Sequence, residues 1–317
     1  MSIIEKAASR IDLKRAAPAP DAVQPVQPVQ PAPVAAAAPA VVVAPSPVPP
    51  VAPALAVAEP VAEPVAETPA PASRGSTRRV ELDLARMRDL GMVTAASGRT
   101  RLLEDFRIIK RPLLQRAFAP RQPGEKPGNL IMMTSSLPGE GKTYCAINLA
   151  MSIAMELDHT VLLVDADVAR PNVLRTLGLP PHRGLMDILL DGKLDMADVM
   201  LRTNVDTLSI LPAGNSNARA TELLASSTMS NLVDEIANRY PDRVVIFDSP
   251  PLLLTSESRE LASHMGQIVM VVEAQTTTQH AVKEALHQLE GCKNVNLIYN
   301  KTREFPGIEE TYDYHYG

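Results

Sequence analysis

Three stretches carry residues whose types and spacing suit phosphoryl chemistry. The first is SSLPGEGKT, residues 135–143, set between an apolar run, NLIMM (129–133), and a helix-like run, YCAINLAMSIAME (144–156). A glycine-bearing loop that joins a strand to a helix start and closes on Lys-Thr is the layout of a phosphate-binding loop. Backbone N–H groups curl round a polyphosphate, and the positive end of the helix dipole faces it. Lys142 can reach the β- and γ-phosphates, and the Thr143 hydroxyl can ligate Mg²⁺. The expected nucleotide contacts are Ser136, Pro138, Gly139, Glu140, Gly141, Lys142, Thr143 and Tyr144. Ser136 stands where the generic pattern places its first glycine, so a ligand-free glycine turn is the competing reading.

The second and third stretches supply carboxylates. TVLLVDAD (160–167) is a continuous apolar run closing on Asp165 and Asp167, as a buried parallel strand would. Two carboxylates at i and i+2 point the same way. One could accept a proton from an attacking hydroxyl while the other steadies Mg²⁺. RVVIFDSPP (243–251) is a second buried strand that ends in Asp248, which resembles a Walker B aspartate, a residue that holds the ion through water. For any one such aspartate the plainer alternative is a turn or helix cap.

The elements around these residues alternate. After the loop the pattern predicts a helix over 184–192, a strand and turn over 208–214, and one long helix over 221–240. A helix over 256–266, a strand over 267–274, a helix over 276–291 and a final strand over 295–301 follow. This order argues an α/β fold, a P-loop NTPase with a mostly parallel sheet flanked by helices. Ligands of such sheets bind beyond the carboxyl ends of the strands, where all three stretches end. Upstream lie a short helix within 81–91 and a longer one over 100–111, which Pro112 kinks or ends. Leu102, Phe106, Ile109 and Leu113 are spaced as its apolar face. Glu104, Arg107 and Lys110 recur as a charged stripe, which by itself reads as a solvated face.

Composition divides the rest. More than half of the 29 prolines fall between Pro18 and Pro71. The chain therefore divides into a short amphipathic helix at 1–15 and a disordered Pro/Ala-rich linker at 16–79. A P-loop domain over 80–301 and a flexible tyrosine-rich tail over 302–317 follow. A net charge of −5 and 3% aromatic residues argue against nucleic-acid binding. The two cysteines, Cys145 and Cys292, lack metal-type spacing and suit a reduced cytoplasm. No secretory signal or spanning segment is visible, so any membrane role implies a partner. Tyr312, Tyr314 and Tyr316 are half of all six tyrosines, at alternate positions of a polar terminus.

Taken together, these residues resemble the bacterial tyrosine kinases, or BY-kinases. SSLPGEGKT, LLVDADVARP and VVIFDSPP are similar to that family's Walker A, Walker A′ and Walker B motifs, and the YDYHY tail matches its C-terminal tyrosine cluster. NARATELLAS and ELASHMGQIVMVVEA resemble the subgroup linked to exosortase/PEP-CTERM exopolysaccharide loci. The resemblance covers roughly residues 80–317 and none of the linker. It implies ATP and Mg²⁺ as cofactors and autophosphorylation of Tyr312, Tyr314 and Tyr316. It puts Lys142 on the phosphates and Thr143 on Mg²⁺. Asp165 becomes the base and metal-side carboxylate, Asp167 and Asp248 support the ion, and Asn300 lies near the adenine. The stripe Glu104, Arg107, Lys110 is similar to the family's ExxRxxR oligomerisation motif, with Lys for the last Arg, which implies a ring-like homo-oligomer. Implied partners are a membrane-embedded, Wzz-type polysaccharide chain-length regulator as activator and an opposing tyrosine phosphatase. The implied setting is cytoplasmic, peripheral to the inner membrane, in control of exopolysaccharide or capsule synthesis and export. A ParA/MinD-type ATPase is the rival reading. It would carry a signature lysine where Leu137 stands, and it gives no reason for terminal tyrosines. A non-catalytic ATP-binding subunit of polysaccharide export is the third, against which the intact Lys142, Thr143, Asp165, Asp167 and Asp248 weigh.

Overall fold

The computed structural model describes residues 78–302, save Ser97, Arg99 and Pro241. The expected N-terminal helix, the linker up to residue 77 and the tail with Tyr312, Tyr314 and Tyr316 lie outside the described residues.

Seven strands form one sheet: β1 (Leu130–Ser135), β2 (Thr160–Asp165), β3 (Leu201–Arg202), β4 (Leu208–Leu211), β5 (Arg243–Asp248), β6 (Gln267–Glu273) and β7 (Val295–Asn300). Their spatial order is β3-β4-β2-β5-β1-β6-β7. Every pairing is parallel except β3 with β4. All six residues of β1 are buried, as a central strand covered on both faces requires. Its side chains alternate between two apolar cores. Leu130 and Met132 join the cluster that contains Phe247 and Met270, and Ile131 and Met133 join the one that contains Ile147 and Met151. This alternation is the period of two that a pleated strand imposes.

The helices are α1 (Leu84–Asp89), α2 (Arg101–Ala117), α3 (Lys142–Ala154), α4 (Val173–Leu177), α5 (Leu185–Leu190), α6 (Met196–Val199), α7 (Ala220–Leu224), α8 (Ser227–Arg239), α9 (Glu257–Ala262) and α10 (Gln279–His287). Helix α3 is buried along nearly its whole length, which is why its sequence reads apolar on all sides.

Three expectations are corrected here. Helix α2 does not stop at Pro112 but runs on to Ala117. The ring removes the donor for the carbonyl of Ile108, and Ile108 is 70% exposed, so water can serve that carbonyl. The expected Leu102, Phe106, Ile109 and Leu113 all pack toward one core, Leu102 and Ile109 only half-buried, and Leu103 joins them, as does Lys110, which is only 4% exposed. Each i+3 step falls about 60° short of a full turn, so Lys110 lies about 120° round the helix from Glu104 and leaves the outer stripe. Glu104 and Arg107 remain outside and pair with each other. The single helix expected over 221–240 is two, α7 and α8. Ser226 divides them: its hydroxyl accepts from Met229 N–H at 3.2 Å and donates to the Leu223 carbonyl at 2.7 Å. A serine that bonds local backbone favours a cap over a helix interior.

Candidate active site

The phosphate loop sits at the carboxyl end of β1, an interior strand between β5 and β6. Gly139 and Gly141 have φ of +87° and +98°, a conformation that side chains resist. A Cβ on Gly141 would also lie 2.1 Å from Asn300 Nδ2. Ser136 has no positive φ and is fully buried, its hydroxyl 3.9 Å from Met270 Sδ on β6. The position therefore needs no glycine, which explains the departure from the generic pattern.

The loop is braced from several sides. The Glu140 carboxylate is 2% exposed, accepts from Leu137 N–H at 2.6 Å and from the Thr277 hydroxyl. Its side chain is thus committed to the protein, and only its backbone N–H is left to face a phosphate. Asn300, at the end of β7, donates to the Glu140 carbonyl at 2.8 Å. Lys301 donates to the Gly139 carbonyl at 2.8 Å and pairs with Glu273 at 2.9 Å. The sequence reading missed Lys301, because it touches the loop from 162 residues away in sequence. The Tyr144 hydroxyl donates to the Gly91 carbonyl at 2.6 Å, and Asn148 accepts from Val93 N–H at 2.7 Å. Both contacts fasten the segment after α1 to α3.

The carboxylates converge beside this loop. Asp165 and Asp248 are direct neighbours on the paired strands β2 and β5. Asp165 Oδ2 accepts from the N–H groups of Asn172 and Val173, each at 3.0 Å, at the start of α4. Asp165 Oδ1 and both oxygens of Asp248 are buried without a hydrogen-bond partner. Lys142 Nζ donates to Asp167 Oδ2 at 2.7 Å, so the lysine rests on a carboxylate of the second stretch. Burial, then the charge of Asp248, push the Asp165 carboxyl up to about 7, against the pull of the Val173 N–H. Burial pushes Asp248 up to about 6, while Lys142 and Thr143 pull it down.

Of the three buried carboxylates, Asp167 pairs with Lys142 and Asp248 feels its charge, while Asp165 lies beside Asp248. Unpaired buried charge is costly, and a divalent cation is the group that would relieve it. The orphaned oxygens of Asp165 and Asp248 and the nearby Thr143 hydroxyl are hard oxygen donors, which suits Mg²⁺. Among the described residues no three acidic, histidine or cysteine side chains close into a cage on their own. Mg²⁺ seldom needs one, since it keeps waters and substrate phosphates as ligands.

A family model described as an AAA domain matches residues 128–302. The tyrosine-protein kinase YwqD of Bacillus subtilis (strain 168) is 34% identical over 164 residues, covering 52% of this chain and 68% of the relative. The tyrosine-protein kinase CpsD of Streptococcus agalactiae is 30% identical over 182 residues, covering 56% of this chain and 78% of the relative. The chain belongs to the bacterial tyrosine-protein kinases. Among solved structures, the VpsO kinase domain is 28% identical with a TM-score of 0.53, over 63% of this chain and 96% of that one. These relatives cover the described domain, and the alternating elements expected from the sequence form its mostly parallel sheet flanked by helices. No helix among the described residues is long and apolar enough to cross a membrane.

Proposed function

We propose that this kinase transfers the γ-phosphoryl group of ATP to tyrosines of its own C-terminus, Tyr312, Tyr314 and Tyr316, and thereby regulates exopolysaccharide or capsule synthesis and export. The observation that carries this reading is the trio of buried carboxylates, Asp165, Asp167 and Asp248, against the single cation Lys142. Thr143 and Asp248 would hold Mg²⁺, with Asp167 close by and Asp165 on the metal's side with its free oxygen left to act as base. The ion neutralises charge on the phosphates when bound. Backbone N–H groups of Gly139, Glu140, Gly141, Lys142 and Thr143 line the cradle, and Ser136, Pro138 and Tyr144 shape it. Asn300 holds the loop, and its place near an adenine belongs to the same proposal. Lys142 exchanges Asp167 for the β- and γ-phosphates. Asp165 Oδ1 takes the phenolic proton as the tyrosine oxygen bonds to phosphorus and ADP leaves. Its other oxygen stays fixed by α4, so the free one is pre-aimed.

The Glu104–Arg107 pair on the outer face of α2 is proposed as the contact between copies in a ring. Lys110 belongs to the same motif but serves inside the subunit. A Wzz-type membrane regulator as activator, a tyrosine phosphatase as antagonist and a cytoplasmic place at the inner membrane complete the proposal. Incubation with ATP and Mg²⁺ followed by an anti-phosphotyrosine blot tests its core. Wild type labels, whereas Asp165→Asn and a 311–317 deletion do not. Label retained by the deletion would refute the tail as acceptor, and label retained by Asp165→Asn would refute the base.

A further inference from the structure

Beside β2, on the side away from the phosphate loop, two loops are locked together. Asp187, in the first turn of α5, is 8% exposed. Its carboxylate accepts from Gly184 N–H at 2.8 Å, Asn215 N–H at 3.2 Å and Asn215 Nδ2 at 2.6 Å. Burial works upward on this carboxyl, but the hydrogen bonds prevail and keep it below the usual carboxylate range. The backbones meet directly: Leu185 and Met186 N–H donate to the carbonyls of Pro212 and Ala213 at 2.8 and 2.9 Å. A Cβ on Gly184 would fall 1.9 Å from the Pro212 carbonyl oxygen, and Gly214 has a φ of +85°. Only glycine allows so close an approach.

This knot lies at the carboxyl end of β4, the neighbour of β2. It fixes the roots of two exposed arginines, Arg183 just before α5 and Arg219 at the start of α7. Arg170, also exposed, follows β2, its backbone N–H held by Asp167 Oδ1 at 3.1 Å. Asp187, at 3.8 Å from Arg183, is the only ion-pair partner of the three among the described residues. The nucleotide loop lies on the β1 side of the carboxylates, and the three arginines follow β2 and β4 or precede α5 on the other side. The terminal sequence IEETYDYHYG places Glu309, Glu310 and Asp313 round its tyrosines.

We propose that Arg170, Arg183 and Arg219 form an acceptor-binding rim that selects tyrosines flanked by carboxylates, with Asp187 as the residue that positions it. This deepens the kinase reading and rests on it. Two or three exposed ion pairs, each worth a few-fold, give about a tenfold preference.

The test uses the full chain and two peptides, GIEETYDYHYG and its E309Q/E310Q/D313N form. Phosphorylation is measured as kcat and KM, and fluorescence anisotropy measures binding of the same labelled peptides. Wild type is expected to show about a tenfold lower KM and tighter binding for the acidic peptide, fading at high salt. Arg183→Ala with Arg219→Ala removes the difference between the peptides, and Arg219→Lys keeps most of it. Asp187→Asn weakens the preference through KM. Equal binding of both peptides by wild type overturns the inference, as does a preference that survives the double alanine variant. Binding preference without any phosphate transfer would refute the kinase reading while leaving the rim in place.

Discussion

Replacing Asp165 by Asn removes a charge that the ligand-free fold holds at a cost. The Asp165 carboxyl has an ordinary value of 3.8 and sits at about 7 in the folded chain. The folded state therefore binds this proton more tightly than the unfolded state does. For an acid shifted upward, the favourable contribution is complete below the unfolded value and is lost as pH rises through the folded one. Between pH 5.5 and pH 8 the integrated loss is about 2 kcal/mol, and Asp248 acts in the same direction. That corresponds to about 4–8 °C in Tm for a domain of this size. His264, held low by burial, works the opposite way below its ordinary 6.5, so wild type alone is not the cleanest readout. The informative quantity is the stability difference between wild type and Asp165→Asn, from urea unfolding in EDTA at both pH values. Asp165→Asn should be the more stable protein at pH 8, and its advantage should shrink by about 2 kcal/mol at pH 5.5. Saturating Mg²⁺ and ATP should favour wild type and reduce the difference at pH 8. A difference that does not change with pH, or a wild type that gains on the variant as pH rises, would refute the uncompensated charge.

Four further outcomes follow from the geometry. Lys110→Ala should cost about 1–3 kcal/mol by denaturant unfolding, because it deletes a buried stem and its bonds to Ser152 and Glu156. Arg107→Ala, at an exposed pair, should change monomer stability by less than about 0.5 kcal/mol, and its effect should appear in light scattering as a smaller assembly. Ser136→Gly should leave nucleotide affinity near wild type and lower stability by about 0.5–1 kcal/mol, whereas Gly141→Ala should abolish nucleotide binding in a calorimetric titration.

The buried strands were legible because parallel strands covered on both faces read as unbroken apolar runs; TVLLVD became β2 and RVVIFD became β5. The same is true of the loop, whose spacing is itself the geometry. What escaped was whatever depends on a partner distant in sequence. Asp187 looks like one polar residue in a short helix until Asn215 arrives 28 residues later. Lys110 looks like surface charge until α3 packs beside it and offers the Ser152 carbonyl. The break at Ser226 was present locally, in a serine pair between two apolar stretches, but helical periodicity on either side masked it. β3 has two residues and no periodicity to read.

The bond from Lys110 to Ser152 has a mechanical meaning. Ser152 lies in the last turn of α3, where carbonyls have no helical partner, and the lysine ammonium meets one at 2.6 Å. The other end of α3 begins at Lys142, in the nucleotide cradle. One stiff rod of about 20 Å thus has the phosphate loop at its head and α2 at its foot. A neighbour that presses on Glu104 and Arg107 pushes on the helix that clamps that foot. If copies meet at Glu104 and Arg107 as proposed, docking and grip on nucleotide share a lever, and a ring would set the rate of each member without any side chain crossing into the next active site.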